Sequence, residues 1–401
     1  MANKMKKPNL SSLVDRISGP GSDAWAVGDM ATKRIQAGDD IIHLGIGDPD
    51  LDTPVAVRDA AIEAISSGKT HYSLIAGEPD LRKAVVEHAM TLYGGQISAE
   101  NTVIFSGTQG ALFASFLCLT DPGDEIIVPE PFYPTYPAVV TASGATMVSV
   151  TLEKFDGYSL NLDNIKAAVT DKTKAILINS PSNPSGAVFD QSTLNDLARY
   201  CHENSIWLVS DEVYWSVTYE GEHTSAYTLE QFRSTTIVVN SLSKSHAMTG
   251  WRVGWAIGPS DFTEALTALS QALQFGVNQF VQTAVVVALK DTESAEKIRN
   301  IFHTRRNALC DGLKKSNHLS FSIPKGGMFV LVDVSSTGLD GKEFAEALLA
   351  EENIAIVPGF GFGPSMENTV RIGFLCHEER LRTAARRIVR FTENKVKEKI
   401  K

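Results

Sequence analysis

A single lysine stands among small and apolar residues in the stretch NSLSKSHAMTGWRVGW, residues 240–255, directly after a strand-like run at 235–239. A lysine amine taken out of water costs several kcal/mol unless something compensates it. A partly neutral amine in such a setting can condense with an aldehyde, which makes Lys244 a candidate for covalent chemistry. Four other strand-like runs end in groups of similar promise. Ser106, Gly107, Thr108 and Gln109 follow 102–105 and open a helix. PEPFYPTYP, carrying Tyr133, follows 125–128. NSPSNPSG, carrying Asn183, follows 174–178. SDEVYW, carrying Asp211 and Tyr214, follows 206–209.

Together these groups describe a ligand. The free N–H groups of a helix N-terminus at Gly107, Thr108 and Gln109 make an anion site. Arg252, with its fixed fork, and the hydroxyls of Ser241 and Ser243 add donors to the same anion. Asp211 suits a cationic ring nitrogen, Tyr214 and Asn183 a phenolate oxygen, and Tyr133 the face of a flat ring. Phosphate, pyridinium, phenolate, ring face and aldehyde together specify pyridoxal 5′-phosphate (PLP).

These residues need a frame that gathers strand ends. Strand-like runs at 102–105, 125–128, 146–150, 174–178, 206–210, 235–239 and 253–257 alternate with helical patterns at 80–93, 110–120, 193–204 and 261–275. That alternation predicts an α/β fold, a three-layer αβα arrangement around a mostly parallel sheet, whose ligands bind beyond the carboxyl ends of the strands. From about residue 291 the pattern changes: helix at 293–315, strands at 328–334 and 369–374, and a charged helix at 378–399. We expect a large α/β domain over 47–290 and a smaller α+β domain built from 1–46 and 291–401.

Composition narrows the classes. The chain has 401 residues, 43% hydrophobic and 21% charged, with a formal net charge of −10. An acidic chain without a long basic run is unsuited to nucleic acid or an anionic membrane. The lysines at 4, 6 and 7 precede no apolar segment of the signal-peptide kind, and no apolar run reaches the ~20 residues of a membrane helix. Four well-separated cysteines form no disulfide framework, and the histidines show no metal-ligand spacing. The expectation is a cytoplasmic protein without a metal.

The segment Ser241–Gly254 contains in full the pattern S-x-S-K-x-x-x-M-x-G-W-R-x-G. Around it LGIGDPDLDTP (44–54), HYSLIAGEPDLR (71–82), SPSNPSG (180–186), SDEVY (210–214), PKGGMFV (324–330) and VRIGF (370–374) occur in this order. The chain, from about 40 to 390, resembles the PLP-dependent class I/II aminotransferases of fold type I. Within that family, AWAVGDMA (24–31) and GGMFVLVDVSSTGL (326–339) are most similar to the arginine–pyruvate type of transaminase. The resemblance implies that Lys244 bonds to the cofactor aldehyde and shuttles the proton, that Asp211 pairs with the ring nitrogen, and that Tyr214 and Asn183 meet the ring oxygen. It gives the phosphate to Gly107, Thr108, Gln109, Ser241, Ser243 and Arg252, with Tyr72 reaching in from the other subunit of a homodimer. Tyr133 stands where many members carry tryptophan. Arg371 takes the substrate α-carboxylate, with Asn183 and Gly47 beside it and Trp25 as a candidate wall. The substrates implied are an L-amino acid and a 2-oxo acid such as pyruvate or 2-oxoglutarate.

Plainer readings compete. Asp211 alone reads as a helix cap, Trp25 as packing, and GFGFGP (359–364) as a flexible loop. DPDLDTP lacks the glycine of a calcium loop. Rival functions are a PLP-dependent β-eliminating C–S lyase on the same fold, a non-enzymatic PLP-binding regulator, for which the ~45 residues before the α/β part are too few to add a DNA-binding domain, and a nicotinamide dehydrogenase, which lacks its glycine fingerprint. The stretch QALQFGVNQF (271–280), where dicarboxylate-specific members place an arginine, has neither Arg nor Lys, so aspartate is expected to be a poor donor.

Overall fold

The computed structural model describes residues 9–400. Seven strands form the main sheet: Thr102–Phe105 (β1), Glu125–Glu130 (β2), Thr146–Thr151 (β3), Thr173–Asn179 (β4), Trp207–Asp211 (β5), Thr236–Asn240 (β6) and Gly254–Ile257 (β7). Their order is β1-β7-β6-β5-β4-β2-β3, with four parallel pairs and β7 antiparallel to both of its neighbours. The mostly parallel three-layer fold expected from the sequence is the one present.

Both faces of the sheet are covered, and the strands show why. Ala175, Leu177 and Val209 pack with Phe116, Phe262 and Leu266 on one face. The alternate residues Ile176, Ile178 and Leu208 pack with Leu194 and Leu197 on the other. Alternation along a strand sends each set to its own layer, so these strands read as continuous apolar runs. Most boundaries shift from the sequence reading by one or two residues. Several helices went unread, among them Ala26–Gln36, Val55–Ser66, Gln279–Ala288 and Gly341–Glu352. Gln279–Ala288 is rich in valine, which local propensity assigns to strands. Burial of Val281, Ala284, Val285 and Ala288 in one cluster with Val57 and Ala61 overrides that preference.

Beyond residue 291 the helices Thr292–Leu313, Gly341–Glu352 and Glu378–Ile400 surround a three-stranded antiparallel sheet of Phe329–Asp333 (β8), Val357–Pro358 (β9) and Thr369–Gly373 (β10), in the order β9-β10-β8. The N-terminal part reaches this region. Ile42–His43 pairs in parallel with Ile354–Ala355, and Val27 and Ala31 join the same core. Among the described residues no helix is long and apolar enough to cross a membrane, and no cluster of His, Cys, Asp or Glu could hold a metal ion.

Candidate active site

A cavity of about 280 Å³ opens at the carboxyl ends of β4, β5 and β6, and twelve of the residues singled out in the sequence line it. They come from the N-terminal part (Trp25, Gly47), from the sheet loops (Thr108, Gln109, Tyr133, Asn183, Asp211, Tyr214, Ser243, Lys244, Arg252) and from β10 (Arg371).

Lys244 is half-buried, and its Nζ donates to the carbonyl of Gly47 at 2.6 Å. Burial pushes its pKa down to about 8. Arg371 and Arg252 push the same way, while Asp48 and Asp211 oppose them. An amine with that pKa is neutral for part of the time near pH 7, as a base or nucleophile must be.

Asp211, the last residue of β5, is almost fully buried. It accepts from the Tyr136 hydroxyl at 2.7 Å and from the Val213 amide at 3.2 Å. Burial dominates and pushes its pKa up to about 6, against those two hydrogen bonds. A carboxylate so placed lacks a cation. The folded-state pKa lies above the unfolded value of 3.8. Its contribution to stability is therefore fully present below that value and is lost as pH rises through about 6. For the cofactor-free protein, stability relative to Asp211→Asn is expected to fall by roughly 2 kcal/mol between about pH 4 and pH 7.5. Parallel unfolding curves for the two proteins across that range would contradict the burial argument.

The opposite wall is a chain of contacts. Tyr214, buried and with its pKa raised by burial, accepts from Asn183 Nδ2 at 3.5 Å. Asn183 Oδ1 accepts from Arg371 at 2.9 Å, and a second guanidinium nitrogen of Arg371 donates to Gly45 O at 2.6 Å. Arg371 is 1% exposed, its Nε has no partner, and burial lowers its pKa to about 10. Its guanidinium sits 4.0 Å from the ring centre of Phe329, 5.1 Å from that of Phe362 and 5.5 Å from that of Trp25. This is a buried cation with a free face and no carboxylate.

At the third corner the helix Thr108–Leu119 begins without a side-chain cap, its N-cap being Gly107 at φ +85°. A Cβ at Gly107 would stand 2.3 Å from the guanidinium of Arg252. Arg252 is itself left-handed, φ 51°, and donates to Thr249 O at 2.6 Å. Gly254 lets β7 close on this corner, where a Cβ would lie 2.7 Å from the Thr108 amide. The Thr108 hydroxyl is buried without a partner. Uncapped amides, an orphaned hydroxyl and a guanidinium on a bare glycine form an anion cradle.

Three of the singled-out residues do not line the cavity. Gly107 is the buried cap just described. Ser241 is fully buried, and its Oγ accepts from the Ser243 amide at 3.3 Å, so it braces the loop. Tyr72 lies on the surface, 81% exposed, edge-on to Phe275 at 5.1 Å. The sequence reading missed Tyr136, the hydroxyl partner of Asp211, although it lies in the PEPFYPTYP loop, four residues before the well-packed Val140. It also missed Asn179, whose Oδ1 accepts from the Asn183 amide at 2.8 Å and whose Nδ2 donates to Asp211 O at 3.0 Å. Its place as the last residue of a central strand was the available signal.

The donor set fits PLP: an anion cradle, a buried carboxylate lacking a cation, an aromatic face at Tyr133, and an amine with a lowered pKa. Known proteins agree. Residues 39–388 match the family described as aminotransferase class I and II. An arginine–pyruvate transaminase of Pseudomonas aeruginosa is 40% identical over 379 residues, covering 94% of this chain and 96% of that protein. An aspartate/prephenate aminotransferase of Thermus thermophilus is 37% identical, covering 91% of this chain and 94% of the other. The solved structure of Thermus thermophilus aspartate aminotransferase with maleate superposes with a TM-score of 0.91 at 36% identity, over 96% of this chain and 100% of that one.

Proposed function

This chain belongs to the aminotransferase class I and II family, and from that premise we propose a division of labour among its residues and a class of substrate. It is a PLP-dependent aminotransferase acting on amino and oxo acids. When bound, the cofactor supplies an aldehyde for the amino group and an electron sink for the charge left at the substrate α-carbon. Lys244 holds the cofactor and, once free, its Nζ takes the α-proton and returns it. Asp211, oriented by Tyr136, supplies the negative charge that a protonated ring nitrogen needs. Tyr214 and Asn183 meet the ring oxygen, and Tyr133 covers the ring. The uncapped amides of Thr108 and Gln109, with Ser243 and Arg252, hold the phosphate, and Gly107 and Ser241 shape that loop. Arg371 takes the α-carboxylate between Asn183 and the Gly45–Gly47 segment, and Trp25 closes that side. The large domain is 47–290, and 9–46 with 291–400 form the small one; residues 1–8 and 401, expected to join it, lie outside the described residues.

The carrying observation for substrate is the charge lining the cavity. Its cations are Lys244, Arg252 and Arg371, and each has a task above. Among the described residues a second carboxylate on the substrate finds no further cation there, and Asp48 adds a negative charge to the lining. An unpaired charge in such a cavity costs several kcal/mol. The donor is a neutral, aromatic or basic amino acid, arginine first, since the Pseudomonas relative is named for arginine and pyruvate; pyruvate or 2-oxoglutarate accepts. Comparing kcat/KM for aspartate, alanine, phenylalanine and arginine tests this. Aspartate is expected last by at least about tenfold, and aspartate ahead of the other three overturns the substrate assignment.

We also assign a homodimer. Tyr72 lies outside its own cavity, beside the exposed Leu74 and Phe275, as a residue serving a second subunit must. Tyr72→Phe is expected to weaken PLP binding several-fold, about the worth of one hydrogen bond to a charged group, as read by equilibrium titration. A monomer with full activity would sink this assignment. A cytoplasmic location fits the four cysteines, all of them free.

A further inference from the structure

β5 runs into two consecutive carboxylates that point to opposite faces, because successive side chains along a strand alternate. Asp211 turns to the cavity. Glu212 turns to the core, where it is fully buried, and none of the roles above uses it. One of its oxygens accepts from Ser210 Oγ at 2.9 Å and Ser225 Oγ at 2.6 Å. The other accepts from the Tyr93 hydroxyl at 3.0 Å and lies 2.7 Å from His223 Nε2. Four donors converge on one group, which is how an ionised carboxylate survives burial. His223 Nδ1 is buried without a partner. An imidazolium would strand a second N–H there, whereas a neutral ring donating through Nε2 leaves only a lone pair unused. The hub therefore carries net negative charge.

Among the described residues no lysine or arginine touches Glu212. Tyr93 packs edge-on to Tyr227 at 5.6 Å, and burial raises the pKa of both hydroxyls. Arg233 lies over the Tyr227 ring at 4.7 Å and spends its donors on the carbonyls of Tyr227, Tyr93 and Gly94. His88, near His223, is kept neutral by burial, its pKa lowered to about 4. Asn240, at the end of β6, adds an uncharged amide.

We propose that Glu212 is a positioning residue for the reaction: a fixed negative charge behind Asp211 that keeps a proton on the pair Asp211 makes with the cofactor's ring nitrogen. The proposal rests on the assignment of Asp211 to that nitrogen. The buried electrostatics run in the same direction, since Glu212 raises the proton affinity of Asp211. Even roughly 12 Å away, a unit charge in an effective dielectric near 20 shifts a titration by about one pH unit.

The test is the ¹⁵N chemical shift of the ring nitrogen in protein loaded with ¹⁵N-labelled PLP, followed from about pH 6 to 10. Glu212→Gln keeps the shape and removes the charge; it is expected to lower the deprotonation midpoint by about one unit. Glu212→Asp keeps the charge and is expected to stay near wild type. A Glu212→Gln midpoint equal to wild type, or a Glu212→Asp shift as large as that of Glu212→Gln, overturns the proposal. If Glu212→Gln does not fold, Glu212→Met, close in volume and likewise uncharged, carries the test: a lowered midpoint supports the proposal and an unmoved one overturns it. Asp211→Asn separates the two layers. If that variant leaves the midpoint unmoved, the assignment of Asp211 has failed, independently of Glu212.

Discussion

Lys244→Ala is expected to bind PLP and to turn over at least about 10⁴-fold more slowly than wild type, the upper end of what a positioned acid–base group contributes. The cradle at Thr108, Ser243 and Arg252 and the carboxylate of Asp211 are untouched by the change, so binding should survive it. What disappears is, among the described residues, the only amine lining the cavity, with its pKa lowered to about 8 by burial. Borohydride treatment of wild type should fix the cofactor to Lys244 and to no other lysine by mass mapping, and the alanine protein should take up no adduct. Full turnover by Lys244→Ala, or an adduct elsewhere, ends the assignment of this residue. Activity should also rise with pH toward 8 in wild type, because Lys244 loses its proton as pH climbs through its lowered pKa.

Arg371→Leu separates function from stability. Breaking a buried, hydrogen-bonded charge contact typically costs 2–5 kcal/mol, so kcat/KM should fall on the order of 10²- to 10³-fold for every amino acid alike. The fold should not suffer in proportion. Arg371 is buried with Nε unsatisfied, and the anionic partner proposed for it is the substrate itself. A leucine against Phe329 and Phe362 removes a desolvated cation from an aromatic pocket. The expected melting temperature of the cofactor-loaded variant is therefore at or above that of wild type. A variant that loses stability along with activity would falsify the reading of Arg371 as a cation waiting for its partner.

The sheet was legible because its strands are buried on both faces. Runs such as 174–178 and 206–210 are nearly all apolar, and each stops where a polar group begins. The site was legible for the same reason: Asp211, Asn183 and Lys244 interrupt or follow those runs, where the bare chain would have no use for them. Residues whose roles depend on another side chain were hidden. Tyr136 looks like helix-start packing until its hydroxyl is seen on Asp211. Glu212 looks like half of an acidic pair until Tyr93, 119 positions earlier in the chain, is seen to reach it. The valine-rich helix Gln279–Ala288 was hidden too, since its form is decided by the groove it fills.

The short ladder of Ile42–His43 with Ile354–Ala355 has a consequence for redesign. It ties the segment that carries Gly45 and Gly47 to the sheet that carries Arg371, and the Gly373 amide adds a bond to Leu44 O at 2.7 Å. The grip proposed for the substrate carboxylate thus belongs to one hydrogen-bonded backbone unit, while the residues proposed for the cofactor hang mostly from the ends of the seven-stranded sheet. The bond from Lys244 to Gly47 spans the two. A protein engineer could diversify 42–48 together with 354–358 and 369–373 as a single cassette. Such libraries would vary what is gripped while leaving the loops that carry the cofactor untouched.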